Sequence, residues 1–138
     1  MELDLQPWMV WLIAVLACGT ILFLGYRNEQ ESRARSTILK VLEAPDSDLV
    51  VTVNGHLWSP NNAVLATIRG VHAQAAHHSG PGHEILVVIR GKQRGKLQLT
   101  LARDSDVRQE YWVFWTLQEG NPNRLEIGRI ETSIFDGQ

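Results

Sequence analysis

PWMVWLIAVLACGTILFLG, residues 7 to 25, carries no charged side chain and is built mostly from Trp, Leu, Ile, Val, Ala and Phe. As a helix rising about 1.5 Å per residue it extends roughly 28 Å, the hydrocarbon thickness of a bilayer. Trp8, Trp11 and Tyr26 fall near its ends, where amphipathic rings favour the headgroup region. Pro7 suits a first helical turn, because its missing N–H would be unpaired there anyway. A core helix apolar on every side would need enclosure by the remaining ~110 residues, too few to build such a core. The stretch therefore predicts a transmembrane anchor in residues 1–26 that contacts the lipid bilayer through residues 7–26.

The flanks argue against a cleaved leader. The amino-terminal MELDLQ is acidic, and no small-x-small cleavage site follows the apolar run. Val15-Leu16-Ala17-Cys18 faintly resembles a lipoprotein cleavage box, but Leu16 is large and more membrane-grade sequence follows Cys18. Ala14 and Cys18, four apart, form a small-xxx-small pair within the span. Arg27, Arg33, Arg35 and Lys40 all lie on the carboxyl-terminal side, so the bias of basic residues toward the cytoplasm predicts a cytoplasmic domain. A single cysteine, inside the span, leaves the rest of the chain without disulfides and fits a reducing compartment. A periplasmic or extracellular domain is the alternative orientation.

The whole chain of 138 residues has 13 Lys+Arg against 15 Asp+Glu, and a mean hydropathy of −0.12 that describes neither of its parts. Glu2 and Asp4 account for the acidic excess, so residues 27–138 are electroneutral. Nothing in this balance points to nucleic acid.

Beyond the span, residues 27–47 read as a juxtamembrane helix and linker. Ala34, Ile38, Val41 and Leu42 fall at i, i+4, i+7 and i+8, an apolar stripe that docks on the globular domain. Ala44-Pro45 ends the helix, since proline disfavours helical geometry in the residue before it. Residues 48–138 read as a small α+β globular domain: one helix packed on a 4–5-stranded antiparallel sheet. Its expected strands are residues 49–53, closed by the turn dipeptide Asn54-Gly55 with a short return at 57–58, then 85–90, 97–102, 110–117 and an irregular last strand within 125–134. Ser59-Pro60 reads as a helix start, with Val64, Ile68, Val71 and Ala75 as the buried stripe. Residues 77–83, HHSGPGH, read as a loop.

Side-chain alternation separates the strands. Leu97, Leu99 and Leu101 alternate with Gln98, Thr100 and Ala102, as in a half-buried strand. In residues 111–117 both faces are apolar: Tyr111, Val113, Trp115 and Leu117 against Trp112, Phe114 and Thr116. Either the docking helix covers the second face, or part of the aromatic set serves a protein partner. Tyr111, Trp112, Phe114 and Trp115 are thus the candidate partner-binding residues.

Two further groups carry chemistry. His72, His77, His78 and His83 are the only cluster with metal-ligand character, although their spacing matches no zinc signature. Arg90, Lys92, Arg94 and Lys96 surround one hairpin and are candidates for contact with anionic lipid. Asp104, Asp106 and Glu110 occupy a turn and a strand start, where solvation accounts for them. No phosphate loop, dinucleotide fingerprint, nucleophile elbow or zinc-protease motif is present, so no catalytic residue and no cofactor is assigned. The expected function is that of a membrane-anchored accessory or protein-interaction module without catalytic activity. The alternatives are metal or small-ligand binding through residues 72–83, and an inhibitor or immunity protein with its domain outside the cytoplasm.

Overall fold

The computed structural model describes residues 6–73, 79–92, 95–116 and 124–137. Helix α1 spans Pro7–Leu42, 36 residues without interruption, with proline in its first turn. The predicted anchor and the predicted juxtamembrane helix are therefore one element, about 54 Å long at the usual helical rise. It is long and apolar enough to cross a membrane, and the apolar window is wholly unburied against the rest of the chain. Its other end behaves differently: Ala34, Ile38 and Leu42 are buried. Their i, i+4, i+8 spacing makes one stripe on the domain side, as the sequence predicts.

The chain leaves α1 through a 3₁₀ turn, Asp46–Asp48, and enters the sheet. The strands are β1 (Leu49–Val53), β2 (His56–Leu57), β3 (Pro81–Gly91), β4 (Gly95–Asp104), β5 (Glu110–Thr116) and β6 (Arg124–Glu131), with helix α2 (Asn62–Arg69) between β2 and β3. They form one sheet in the order β2-β1-β3-β4-β5-β6, antiparallel throughout. The α+β class holds, and the sheet has six strands instead of four or five. The difference arises at the two edges, where β2 is only two residues long and β6 is irregular.

Local chemistry explains most boundaries. Asn54 and Gly55, with φ of 50° and 82°, make the left-handed turn that joins β1 to β2. The Asn54 side chain also accepts the Leu86 N–H, tying that turn to β3. Ser59-Pro60 is a cis peptide ahead of α2 and not its first turn. Asn61 precedes the helix instead, and its side-chain amide donates to the carbonyls of Asp46 and Leu49. α2 stops at Gly70, which caps it, so Val71 is buried from an extended segment. Ala75 lies outside the described residues. Pro81, Gly82 and His83 belong to β3 and not to a loop, with a bulge between Pro81 and Glu84.

β6 contains the second irregularity. Val113 pairs with Gly128 and Phe114 with Glu126, leaving Ile127 as the extra residue of a bulge. This lets both Ile127 and Ile130 enter the core, which a regular alternation would forbid. Gly128 has φ +147°, and a Cβ there would lie 2.3 Å from the His72 carbonyl oxygen. Only glycine lets the segment after α2 approach so closely and pair His72 with Arg129.

The core lies between the sheet and the two helices. Val51, Val87, Ile89, Leu99, Leu101, Tyr111 and Val113 meet Ile38, Leu42, Leu65 and Ile68. Phe135, from the turn after β6, fills the remaining space edge-on to Tyr111 at 5.7 Å and tilted against Trp58 at 6.1 Å. Arg69 fastens the end of α1: its guanidinium donates to the carbonyls of Leu42 and Ala44 and to Asp46. Arg69→Gln is expected to cost about 1 to 2 kcal/mol, the worth of charge-assisted caps at a partly exposed site. Denaturant melts of the variant, showing an unchanged slope and a lower midpoint, would check this.

Candidate functional site

Strand register determines which side chains share a face, because directly paired residues project the same way. Ile89 pairs with Leu97 and Val87 with Leu99 on the helix-covered side. Between them, Arg90 pairs with Lys96, Val88 with Gln98 and Leu86 with Thr100 on the side turned away from the helices. Thr100 pairs with Phe114 and Ala102 with Trp112, so this face continues onto β5, where Ala102 and Phe114 are buried and Trp112 is partly exposed. It joins the Trp112–Phe114 pair to the basic residues Arg90 and Lys96, about 20 Å away along β4. Val50 and Leu86, on the same face, are 49% and 38% exposed.

Trp112 and Phe114 stack at 6.3 Å with their rings 20° from parallel. The Arg129 guanidinium lies 3.9 Å from the centre of the Trp112 ring, and that of Arg124 lies 4.3 Å from the centre of Phe114. Arg124 also pairs with Glu84. The two aromatics are thus sheltered by cations, which leaves Phe114 buried and Trp112 partly exposed.

Beneath Trp112 lies a buried charge cluster. Arg129, 3% exposed, pairs with Glu110 and, at 3.4 Å, with Asp104. Asp104 also accepts the Ser79 hydroxyl at 2.6 Å, the Trp112 indole N–H at 2.7 Å and the backbone N–H groups of Asp106 and Val107. Burial pushes this carboxyl up, but the hydrogen bonds from Ser79, Trp112 and the two backbone groups outweigh it. They hold Asp104 well below the usual carboxylate range. Asp104 and Glu110 are therefore not solvated turn residues, as the sequence suggested, but the anchors of the β4–β5 turn. The signal was present in Asp104-Ser105-Asp106-Val107, an Asx-type turn whose first carboxylate bonds the backbone ahead of it.

A second concave feature lies between α1 and β6. Arg27, Glu31 and Arg35, at i, i+4 and i+8, face Glu126, Ile127, Gly128 and Ala73 around a cleft of about 190 Å³. Arg27 contacts Glu31 at 3.3 Å, and Arg35 Nε donates to the Ile127 carbonyl at 3.1 Å. Burial pushes the half-buried Glu126 carboxyl up; Arg129 opposes the shift, Glu31 adds to it and Arg27 opposes it. The helical spacing of these three α1 residues was visible in the sequence. Their opposing wall was not, because it depends on the β6 bulge.

The remaining sequence candidates are dispersed. Tyr111 is fully buried, with its hydroxyl held by Arg103, so it belongs to the core and offers no surface. Trp115 packs on the core from the helix-covered side and is partly exposed. Lys92 lies 3.5 Å from Asp48, two residues beyond the Asp46 that Arg69 ties to the end of α1. That end is roughly 24 Å along the helix from Tyr26. Arg90 and Lys96 belong to the same hairpin; Arg94 lies outside the described residues. His72 is exposed at its bridge to Arg129 and His83 is on β3, while His77 and His78 lie outside the described residues. Among the described residues, no three His, Cys, Asp or Glu side chains come together as a metal site.

No family model matches the chain, and no solved structure matches it. A stretch of 84 residues is 27% identical to Protein tex of Bordetella pertussis, covering 53% of this chain and 11% of that protein. The chain thus spans about a tenth of the length of the relative it matches, and the similarity assigns it to no family.

Proposed function

We propose that this protein is a single-pass membrane-anchored interaction module, without catalytic activity of its own, that holds a protein partner against the uncovered face of its sheet. The observation that carries this reading is the continuity of one face. Exposed Val50 lies beside basic Arg90 and its pair Lys96, exposed Leu86 lies about 14 Å along β3 from Arg90, and partly exposed Trp112 ends the same face on β5. An apolar strip ending in cations suits a partner that brings an apolar strip ending in carboxylates. The helices occupy the opposite face, so the anchor leaves this surface open. Basic residues after the apolar run favour a cytoplasmic domain.

Photo-crosslinking in intact membranes tests the reading. A photoreactive residue at position 50 or 86 is expected to give a discrete protein adduct, and one at the exposed Leu39 of α1 is expected to give none. Adding Arg90→Glu should lower the adduct yield about tenfold through charge reversal at the rim. Stability should change little, since Arg90 is exposed. Adducts absent at both face positions, or equally strong at Leu39, would overturn the proposal. A carboxyl-terminal reporter active only outside the cytoplasm would reverse the orientation and favour an inhibitor or immunity role.

A further inference from the structure

The cleft between α1 and β6 has a charge pattern that the interaction surface does not use. Its α1 wall begins at Arg27, two residues beyond the last residue of the apolar run. With that run filling the hydrocarbon, Arg27 lies about 3 Å beyond it, within the headgroup layer that adds roughly 5 to 7 Å on each side, and Glu31 lies about 9 Å beyond it, at the outer edge of that layer. Arg35 is about 12 Å beyond Arg27 along the helix, past that layer, where it closes the far end of the cleft. Helical side chains lean toward the amino-terminal end, here toward the bilayer. The opposite wall, Glu126 to Gly128, is fixed by the β6 bulge and by the hydrogen bond from Arg35 to Ile127.

Two guanidiniums and two carboxylates around one small cleft favour neither a lone anion nor a lone cation. They complement a ligand with both charges. The volume of about 190 Å³ is below that of pockets for drug-sized molecules and fits a headgroup whose acyl chains stay in the bilayer. A primary ammonium can donate hydrogen bonds to Glu31 and Glu126; a trimethylated ammonium cannot. We propose that this cleft binds the headgroup of an aminophospholipid, with the phosphate at Arg27, the cation nearest the apolar run, and the primary ammonium at Glu31 and Glu126. The site rests on α1 spanning the bilayer, and it would fix how the domain sits on the membrane.

The test uses the full chain in nanodiscs containing equal phosphatidylethanolamine and phosphatidylcholine, released and weighed by native mass spectrometry. One retained phosphatidylethanolamine is expected, enriched about tenfold over phosphatidylcholine, in line with charge-assisted hydrogen bonds that only the primary amine can make. Glu126→Gln and Arg27→Gln should each abolish the enrichment. Arg33→Gln, on the same helix but outside the cleft and paired with Glu29, should leave it intact. Insertion without enrichment, equal loss in the Arg33→Gln control, or stronger retention of phosphatidylglycerol in a parallel nanodisc would overturn the headgroup site while leaving the anchor standing. A chain that does not enter nanodiscs at all would overturn both.

Discussion

A fragment starting at residue 48, where the sequence places the globular domain, is expected not to fold, whereas one starting at residue 27 folds as a soluble monomer. The reason is the stripe Ala34, Ile38 and Leu42, which is buried to within 2% of complete. Removing a buried Ile or Leu side chain costs about 2 to 5 kcal/mol each when the site cannot collapse. Losing the helix removes both together, along with the cover over the neighbouring strands. A small domain holds only roughly 5 to 15 kcal/mol in total. The loss also strips Arg69 of its acceptors at Leu42 and Ala44. Circular dichroism melts of the two fragments would decide the matter: a cooperative transition from residues 48–138 close to that of residues 27–138 would show that α1 is only a tether.

This expectation bears on function. A domain on a flexible linker samples all orientations, whereas a domain whose core includes the last turns of a 36-residue helix inherits that helix's direction. The face with Val50, Leu86 and Trp112 then points away from α1, and the α1–β6 cleft lies beside the end of the apolar run.

The parts legible in the sequence were those governed by local periodicity. The apolar run, the stripe from Ala34 to Leu42, the Asn54-Gly55 turn and the alternation of Leu97, Leu99 and Leu101 each need only neighbours within a few residues. What escaped depended on distant contacts. Phe135 belongs to the core because Tyr111 and Trp58 leave a gap there. β6 is hard to read because its bulge breaks alternation at Ile127 and Gly128. The aromatic residues 111–115 posed a question of cover that periodicity cannot answer. Helices answer it for Tyr111 and Val113, while arginines answer it for Trp112 and Phe114. The carboxylates of the β4–β5 turn looked solvated only because Arg129 is 25 residues from Asp104 in sequence.

Asp104→Ala should then be the most damaging single substitution in the sheet, costing roughly 3 to 5 kcal/mol, the usual penalty for breaking a buried pair. It leaves the Trp112 indole N–H, the Ser79 hydroxyl and two backbone N–H groups without their acceptor, and Arg129 with Glu110 alone. Asp104→Asn preserves the shape but turns an amide N–H₂ toward donors on one side, so it should recover only part of the loss. The same carboxylate sets the acid limit of the domain. Its folded-state value lies below that of the unfolded chain, near pH 4, so its stabilisation is complete above that pH and fades as pH falls below it. Glu126 acts in the opposite sense: its raised value favours the folded state at low pH and is lost as pH rises, but it is half-buried and weaker. Urea midpoints of the fragment from residue 27 should fall steadily from pH 5 to pH 2, and the Asp104→Asn variant should show a visibly flatter profile. A variant whose midpoint falls as steeply as the parent's would move the acid sensitivity to other carboxylates and remove Asp104 from the centre of the fold.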